Sequence, residues 1–283
     1  MFKRKCFSKF IFHLLLLAIL LSCSPSKTEI SKNRYIVTSP ELAEIIAAID
    51  GTQNIVGVTA ECNYPLNLEQ IVKVGNFGKV DFEKIISLNP TLVFTSGLEQ
   101  ELLTNELQKL DIPTAQFYPK SIDEMVTSIR EIGKLIGTEK RANFVADSLQ
   151  IEIEKIKEKP IGEKPSVYVE IYNNPIMSVS DKSFVGEVVQ TAGGNNIFSE
   201  LPREYSRVKA EAVIGANPEI IILTCPPEIT AESIKNRKGW EVISAIQNNR
   251  IYTANEVNPD LIIRATPRVI EGMKILQKLF NEK

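Results

Sequence analysis

The spacing of apolar residues predicts a helix close to the start of the folded region. Its apolar positions recur at intervals of three and four, at Leu42, Ile45, Ile46 and Ile49. This spacing places all four side chains on one face of a helix, where they can pack against a core. Ser39 is suited to the N-cap and Pro40 to the first turn, so we expect the helix to begin there.

Short apolar runs of strand length separate the predicted helices. Such runs occur near residues 34–39, 55–59, 92–95 and 114–117, and helical patterns lie between or after them. Strands that alternate with helices at this spacing are typical of parallel strands joined by helical crossovers. The sequence therefore predicts an α/β fold.

Residues 138–159 differ from the segments on either side. They are rich in charge, contain no glycine or proline, and carry apolar residues at intervals of three and four. We expect one helix of about 20 residues, and hence about 30 Å, in this segment. The strand–helix alternation then resumes. The predicted fold is two Rossmann-like lobes with parallel sheets, at 34–137 and 161–283, joined by one long bridging helix at 138–160.

One motif occurs twice, at residues 83–94 and 211–222, with an offset of 128 positions. Each copy has a glutamate, a short amphipathic stretch, an Asn-Pro pair and an apolar run. A shared unit at this distance indicates two similar lobes, and it marks Glu83 and Glu211 as a pair, one in each lobe. A simpler interpretation accounts for part of the pattern, because helix–Asn-Pro–strand is a common junction and glutamate is favoured in a first helical turn.

The amino terminus has the features of an export signal. Basic residues precede an apolar run at 10–21, which is too short to span a bilayer as a helix. The run ends in Leu-Leu-Ser-Cys, which resembles a bacterial lipobox. We expect residues 1–22 to be a lipoprotein signal peptide, Cys23 to carry lipid, and residues 23–33 to be a flexible tether. The alternative is an ordinary signal peptide with a cysteine nearby by chance. The expected location is exported and lipid-anchored, on the periplasmic side of a bacterial membrane.

Composition limits the chemistry that the chain can carry out. Removing residues 1–22 takes away four basic residues and no acidic ones, so the net charge changes from −2 to −6. This balance argues against nucleic acid as a partner. The only histidine, His13, lies in the predicted signal peptide. Without it the chain has no imidazole for Ser-His-Asp or Cys-His catalysis, or for the usual histidine-containing metal sites.

The sequence has no recognisable catalytic signature. It contains no Gly-x-Ser-x-Gly elbow, no phosphate-binding loop and no Cys-x-x-Cys pair. We therefore predict a protein that is not an enzyme, with no catalytic residue, metal site or cofactor. Cys62 and Cys225 fall in different predicted lobes, and we expect two separate, unreactive thiols. A secreted enzyme on an α/β scaffold is the competing class.

Aromatic and basic residues occur where predicted strands end or loops begin. They are Tyr64, Phe77, Tyr172, Tyr205 and Arg264. In parallel α/β lobes such positions collect at the carboxyl ends of the strands, where ligands bind. Flat aromatic rings suit a large, planar, partly apolar ligand. Taken singly, each aromatic residue is also compatible with ordinary half-buried packing.

Several motifs follow one another in a fixed order along residues 34–281. They are IVGVT at 55–59, CNYP at 62–65, VGNF at 74–77, the first repeat copy at 83–94, AGGNNIF at 192–198 and RATPR at 264–268. In this order they resemble the solute-binding proteins of bacterial cobalamin and ferric-siderophore importers. Asn63-Tyr64-Pro65 is the part most similar to the cobalamin branch. Proteins of this family have two α/β lobes bridged by one long helix.

The resemblance implies a role and residues that perform it. The protein would be a monomeric substrate-binding component of an ABC importer. It would capture a corrinoid between its lobes and deliver it to the permease dimer with its ATPase. In the family one glutamate on each lobe docks onto arginines of the permease, and Glu83 and Glu211 match those positions. The family's ligand cleft maps onto the five aromatic and basic residues named above.

This sequence also departs from the family pattern. Phe77 and Tyr205 stand where some cobalamin binders carry tryptophan, and the cysteine pair found in the second lobe of some relatives is absent. A ferric siderophore or haem is therefore the alternative cargo. Arg203, Arg207 and Arg264 are then the candidate cations that would face a negatively charged complex.

Overall fold

Two four-stranded parallel sheets form the framework of the molecule. The structure is a computed structural model, and it describes residues 33–97, 100–159, 162–224 and 229–282. The predicted signal peptide, Cys23, the tether as far as residue 32, and Cys225 lie outside the described residues.

The first sheet and its helices occupy the part of the chain before the bridging helix. The elements are β1 (Tyr35–Val37), α1 (Pro40–Ala48), β2 (Ile55–Val58), β3 (Gly75–Asn76), β4 (Lys79–Val80), α2 (Phe82–Ser87), β5 (Leu92–Thr95), α3 (Glu101–Lys109), β6 (Thr114–Gln116) and α4 (Ile122–Ile136). The strand order is β2-β1-β5-β6, with all pairs parallel, and β3 and β4 form a small hairpin. As predicted, the Ser39 hydroxyl caps α1 by accepting a backbone N–H three residues on. The Ser121 hydroxyl caps α4 in the same way. Gly137, at a φ of 77°, ends α4.

One helix of 20 residues, α5 (Glu139–Glu158), follows directly and leads to the second sheet. It packs along α4, and the two helices approach closely at Gly133. A Cβ atom built at Gly133 would lie 2.1 Å from the Cβ of Ala142, so any larger residue there would separate the helices.

The second sheet repeats the architecture of the first. The elements are β7 (Ser166–Glu170), β8 (Tyr172–Asn173), β9 (Ile176–Val179), α6 (Phe184–Thr191), β10 (Asn195–Asn196), β11 (Tyr205–Arg207), α7 (Ala210–Ala216), β12 (Ile220–Leu223), α8 (Ala231–Lys235), α9 (Ser244–Gln247), β13 (Ile251–Tyr252), α10 (Asp260–Ile263) and α11 (Val269–Asn281). The strand order is β10-β7-β12-β13, again all parallel. Short 3-10 turns occur at Thr52–Asn54, Leu66–Gln70 and Trp240–Val242.

The two copies of the repeated motif adopt the same structure. α2 leads into β5, α7 leads into β12, and the two strands begin at Leu92 and Ile220, 128 positions apart. Between helix and strand, Asn89 and Asn217 both have a φ of 45°. Asparagine tolerates this left-handed conformation better than most residues, so it ends the helix before the following proline turns the chain into the strand.

The predicted fold class is confirmed: two α/β lobes with parallel sheets, joined by one bridging helix. The exact domain limits stay a prediction. Residues 240–247 form two short helical pieces, and α11 starts at Val269 after the separate α10. Asp50 has a left-handed backbone after α1.

A small antiparallel sheet, with the order β11-β9-β8, is an addition that the sequence pattern did not predict. It lies in the second lobe, and it contains two of the predicted ligand-binding residues, Tyr172 and Tyr205. Its strands have only two to four residues, too few for an alternating pattern to stand out.

One apolar core runs through both lobes and the bridging helix. It includes the buried residues Val37, Phe94, Leu149, Ile153, Val169 and Ile222. Each fully buried aliphatic side chain contributes about 1.5–3 kcal/mol, so this shared core couples the two lobes strongly. Among the described residues, no helix has both the length and the apolar character needed to cross a bilayer.

Candidate ligand-binding cleft

A cavity of about 640 Å³ lies between the lobes, at the carboxyl ends of both parallel sheets. From the first lobe it is lined by Pro40, Glu41, Glu61, Phe77, Gly78 and Tyr118. From the second lobe it is lined by Ile171, Val185, Tyr205, Thr224, Asp260, Ile263 and Arg264. The position agrees with the rule that open α/β sheets bind ligands beyond the carboxyl ends of their strands. The volume is in the range of ordinary small-molecule sites.

Two aromatic residues of the first-lobe wall, Phe77 and Tyr118, are positioned by contacts with neighbouring residues. The backbone N–H of Phe77 donates to Glu61 Oε2 at 2.9 Å, and its carbonyl accepts from Gln100 Nε2 at 3.3 Å. The ring of Tyr118 packs over Gly97, where an added Cβ would lie 2.6 Å from Tyr118 Cγ. Glycine at position 97 therefore makes room for the Tyr118 ring at the cavity.

Arg264 forms hydrogen bonds and an ion pair across the cleft. Its Nη1 lies 2.8 Å from Glu44 Oε1 and 3.0 Å from Asn63 Oδ1, and its Nη2 lies 3.0 Å from Asp260 Oδ1. The Glu44 side chain is only 2% exposed. These acceptors compensate the guanidinium charge. Arg264 follows the helix α10 and begins the loop that leads to α11.

Arg268 reinforces the same contact. It donates to both oxygens of Glu44, from Nε at 2.8 Å and from Nη2 at 2.9 Å. Burial opposes its charge, but the hydrogen bonds and the charge of Glu44 outweigh burial and raise the pKa of Arg268. Its guanidinium also lies 3.8 Å from the ring centroid of Tyr64. Tyr64 therefore makes a cation–π contact between the lobes.

Two further contacts connect the lobes through other elements. Lys120 Nζ lies 2.6 Å from Glu204 Oε1, and the hydrogen bond and charge of Glu204 raise the pKa of Lys120. The backbone N–H of Ile122, in the first turn of α4, donates to Glu187 Oε2 at 2.7 Å. A carboxylate from the second lobe thus satisfies an unpaired N–H at a helix start in the first lobe.

Two carboxylates on the first-lobe wall have no cationic partner among the described residues. Glu41 accepts a hydrogen bond from the Ser96 hydroxyl at 3.0 Å, and Glu61 accepts the one from Phe77. Neither forms an ion pair with a described lysine or arginine. Since Arg264 is compensated by Glu44 and Asp260, the cavity wall carries excess negative charge.

The structure brings three of the five predicted ligand-binding residues together. Phe77, Tyr205 and Arg264 line the cavity. Tyr64 and Tyr172 are 44% and 49% exposed, and they are not part of the cavity wall. The ligand-binding role of all five stays a prediction.

Sequence reasoning missed four charged or aromatic residues of the wall: Glu41, Glu61, Tyr118 and Asp260. For three of them a signal was present. Glu41 lies shortly after β1, Glu61 after β2 and Tyr118 after β6, so the rule about strand ends applied to them as well. Asp260 begins the short helix α10, and no pattern in the sequence indicated it.

Glu83 and Glu211 occupy equivalent places in the two lobes. Both are exposed, and each lies in the first turn of the helix that leads into an inner strand, β5 or β12. A helix that connects parallel strands begins at the carboxyl edge of its sheet. Both glutamates therefore lie on the edge that borders the cleft. Their docking role stays a prediction.

Cys62 is buried, with a free thiol, next to the cavity residue Glu61. Burial raises its pKa, against hydrogen bonds that lower it. A buried thiol with a raised pKa is a poor nucleophile, which supports the expectation that Cys62 is unreactive.

Comparisons with known proteins agree with this geometry. The chain is 29% identical over 250 residues to the uncharacterized ABC transporter substrate-binding lipoprotein YvrC of Bacillus subtilis (84% of this chain, 76% of the relative). It is 26% identical over 248 residues to the vitamin B12-binding protein of Vibrio campbellii (85% and 86%). The crystal structure of a possible iron-binding, periplasmic solute-binding protein from Staphylococcus epidermidis superposes with a TM-score of 0.76 at 25% identity. That superposition covers 88% of this chain and 99% of the other.

The family described as Periplasmic binding protein matches residues 36–263, which include both sheets, the bridging helix and nearly the whole cavity wall. Because the match spans most of the chain and the fold agrees, the resemblance found in the sequence is confirmed: the chain belongs to the periplasmic binding protein family.

Proposed function

We propose that this protein is the substrate-binding component of an ABC importer and that it captures a corrinoid between its lobes. The observation that carries the proposal is the 640 Å³ cavity, whose wall contains the aromatic residues Phe77, Tyr118 and Tyr205. Their rings offer a planar ligand wide contact at a low cost in conformational entropy. The Vibrio relative is named a vitamin B12-binding protein and the Bacillus relative an ABC transporter substrate-binding lipoprotein. Both names favour the proposed function.

The charge of the wall favours a corrinoid over the alternative ligands. Glu41 and Glu61 are without cationic partners among the described residues, and the wall's arginine, Arg264, is compensated. Haem carries propionates, and many ferric siderophores are anionic, so both would meet repulsion there. The cobalt(III) centre of a corrinoid is cationic and would be attracted.

A ferric siderophore or haem is the second candidate. Arg203 and Arg207 are exposed in the second lobe, on either side of the cavity residue Tyr205 along the chain. They could face an anionic ligand at the rim of the cleft. The Staphylococcus relative is named a possible iron-binding protein.

Delivery to the permease forms the second half of the proposal. Glu83 and Glu211 are exposed at matching places, so a permease dimer with two related arginine sites could engage both at once. Lipid on Cys23 would hold the monomeric protein on the periplasmic side of a bacterial membrane, and residues 23–33 would act as a tether.

Isothermal titration with cyanocobalamin, cobinamide, haemin and a ferric catecholate siderophore tests the cargo. We expect both corrinoids to bind with one site per protein. Phe77→Ala should weaken corrinoid binding about tenfold or more, because it removes an aromatic anchor from the cavity wall. Phe144→Ala is the matched control, since Phe144 is 63% exposed on the bridging helix. Binding of haemin or the siderophore alone would reassign the cargo, and binding of none of the four would overturn the proposal.

A further inference from the structure

Three side chains of the small antiparallel sheet lie side by side on one face. Arg207 on β11 pairs with Met177 on β9, and Met177 pairs with Tyr172 on β8. Residues directly opposite one another on neighbouring strands share a face of the sheet. Tyr172, Met177 and Arg207 therefore form one row, which we call the rim row.

The rim row continues from the cavity wall. Tyr205, which lines the cavity, lies two residues before Arg207 on the same strand, so the two side chains are on the same face, about 7 Å apart along the strand. Across the strands, Arg207 and Tyr172 are separated by about 10 Å. Exposure rises away from the cavity, with Tyr205 and Met177 half-buried and Tyr172 and Arg207 exposed.

Arg207 differs from Arg264 and Lys120, two paired cations near the cleft. Arg264 is paired with Glu44 and Asp260, and Lys120 is paired with Glu204. Arg207 makes no hydrogen bond or ion pair with any other described residue through its side chain. Its five N–H donors are therefore available to an anion that lies on the face of the rim row.

The cavity and the rim row have opposite charge. The wall contributes the carboxylates of Glu41 and Glu61, and the rim row contributes a guanidinium beside a tyrosine ring and a methionine. A ligand that matches both has a cationic, planar body and an anionic arm with an aromatic group. A complete cobalamin has this form, because its nucleotide arm carries a phosphate diester and a flat base. Cobinamide has the same corrin ring and lacks the phosphate and the base.

We propose that the rim row of Tyr172, Met177 and Arg207 is a subsite for the phosphate-bearing nucleotide arm of a cobalamin whose corrin ring occupies the cavity. The inference rests on the proposed function. Arg207 would donate paired hydrogen bonds to the phosphate oxygens. Tyr172 and Met177 would provide the contact surface for the base. The rim row then distinguishes complete cobalamins from their nucleotide-free precursors.

The test compares cyanocobalamin with cobinamide on four full-length proteins: wild type, Arg207→Gln, Tyr172→Ala and the control Lys134→Gln. We expect the wild type to bind cobalamin more tightly. Arg207→Gln should lower the affinity for cobalamin about tenfold, the effect of losing a charge-assisted hydrogen bond, and leave cobinamide binding unchanged. Lys134→Gln removes an exposed cation of α4 in the first lobe, away from the row and the cavity wall, and should change neither. Tyr172→Ala should show the same selective loss as Arg207→Gln.

The outcomes separate this inference from the proposed function. If Arg207→Gln weakens both corrinoids equally, or neither, the rim row is not a subsite for the arm, while the importer function stands. Equal wild-type affinity for cobalamin and cobinamide would lead to the same conclusion. If the wild type binds neither corrinoid, the proposed corrinoid function fails and this inference fails with it.

Discussion

Arg264 Nη1 lies 2.8 Å from Glu44 Oε1, a contact between residues that are 220 positions apart in the chain. Glu44 is on α1 of the first lobe, and Arg264 follows α10 in the second. Arg268 donates to both oxygens of the same carboxylate, so one buried glutamate connects two arginines across the cleft. The lobes are therefore joined by an ionic contact at the cavity as well as by the shared core along the bridging helix.

Glu44→Gln should destabilise the protein by about 3 kcal/mol. The substitution removes the ion-pair partner of Arg268, which is 18% exposed, and leaves Arg264, which is 10% exposed, with Asp260 as its remaining carboxylate. Removing one partner of a buried pair costs more than the pair itself contributes, because the remaining charge is uncompensated. The free energy of unfolding from urea titration measures this loss.

Glu131→Gln is the matched control for that experiment. Glu131 is an exposed residue of α4, and a surface substitution of this kind changes stability by less than about 0.5 kcal/mol. If Glu44→Gln behaves like the control, the ionic contact between the lobes contributes nothing to the stability of the fold.

A second buried pair lies inside the second lobe. Both oxygens of Glu170 accept from Arg237, each at 2.6 Å, and Glu170 Oε2 also accepts from the Tyr168 hydroxyl at 2.9 Å. Glu170 is fully buried, and Arg237 lies over the ring of Trp240 at 4.6 Å from its centroid. We expect Glu170→Gln to destabilise the protein by about 2–3 kcal/mol, since it replaces a buried carboxylate that accepts three hydrogen bonds.

Trp240 is the only tryptophan in the chain, so its emission reports on this pair directly. Glu170→Gln should change the native emission spectrum and move the unfolding midpoint to lower urea. Glu241→Gln, next to Trp240 but exposed, should do neither. An unchanged midpoint for Glu170→Gln would mean that the stability of the lobe does not depend on the charge of Glu170.

The carboxyl group of Glu152 should titrate far below its ordinary range. Hydrogen bonds from Lys155 at 2.8 Å and Lys274 at 2.6 Å lower its pKa from 4.5 to about 2. Because the folded-state pKa lies below the unfolded-state value, the stabilisation is present above pH 4.5 and is lost as the pH falls towards 2. Carboxyl NMR shifts followed from pH 6 to 1.5 measure this pKa, with Lys274→Met as the comparison. The variant should raise the pKa, and an ordinary value in the wild type would contradict the expectation.

Local signals in the sequence were sufficient for most of the fold. Ser39 and Ser121 cap helices because their hydroxyls accept backbone N–H groups within three residues. Asn89 and Asn217 end helices through their own backbone conformation. Such signals act within one turn of the chain, so a single sequence contains all the information they need.

The parts that could not be predicted depend on residues far apart in the chain. Nothing near Glu44 indicates that two arginines more than 200 positions away will surround it. Tyr64 and Arg264 were expected to bind ligand, and the structure gives both of them contacts between the lobes. The rule about strand ends located the cleft, but it could not show which polar groups there would already be paired.

The paired acids of the two lobes give the last prediction, which concerns delivery rather than binding. Replacing both Glu83 and Glu211 by alanine should abolish uptake of the ligand while leaving its affinity for the isolated protein unchanged. Both side chains are exposed in first helical turns, and neither lines the cavity. Two weak contacts made together bind more tightly than either alone, so each single variant should keep partial activity. Uptake of labelled cobalamin, in cells where the variant replaces the wild type, measures the effect alongside titration of the purified protein.

Glu139→Ala with Glu271→Ala is the matched control for delivery. These glutamates are also exposed and also lie in first helical turns, of α5 and α11, so the control loses the same charge and the same interaction with a helix dipole. Normal uptake by the control, together with loss in the Glu83/Glu211 variant, assigns the effect to the position of the acids rather than to net charge. Retained uptake by the Glu83/Glu211 variant would instead show that the repeated glutamates serve only to start two helices.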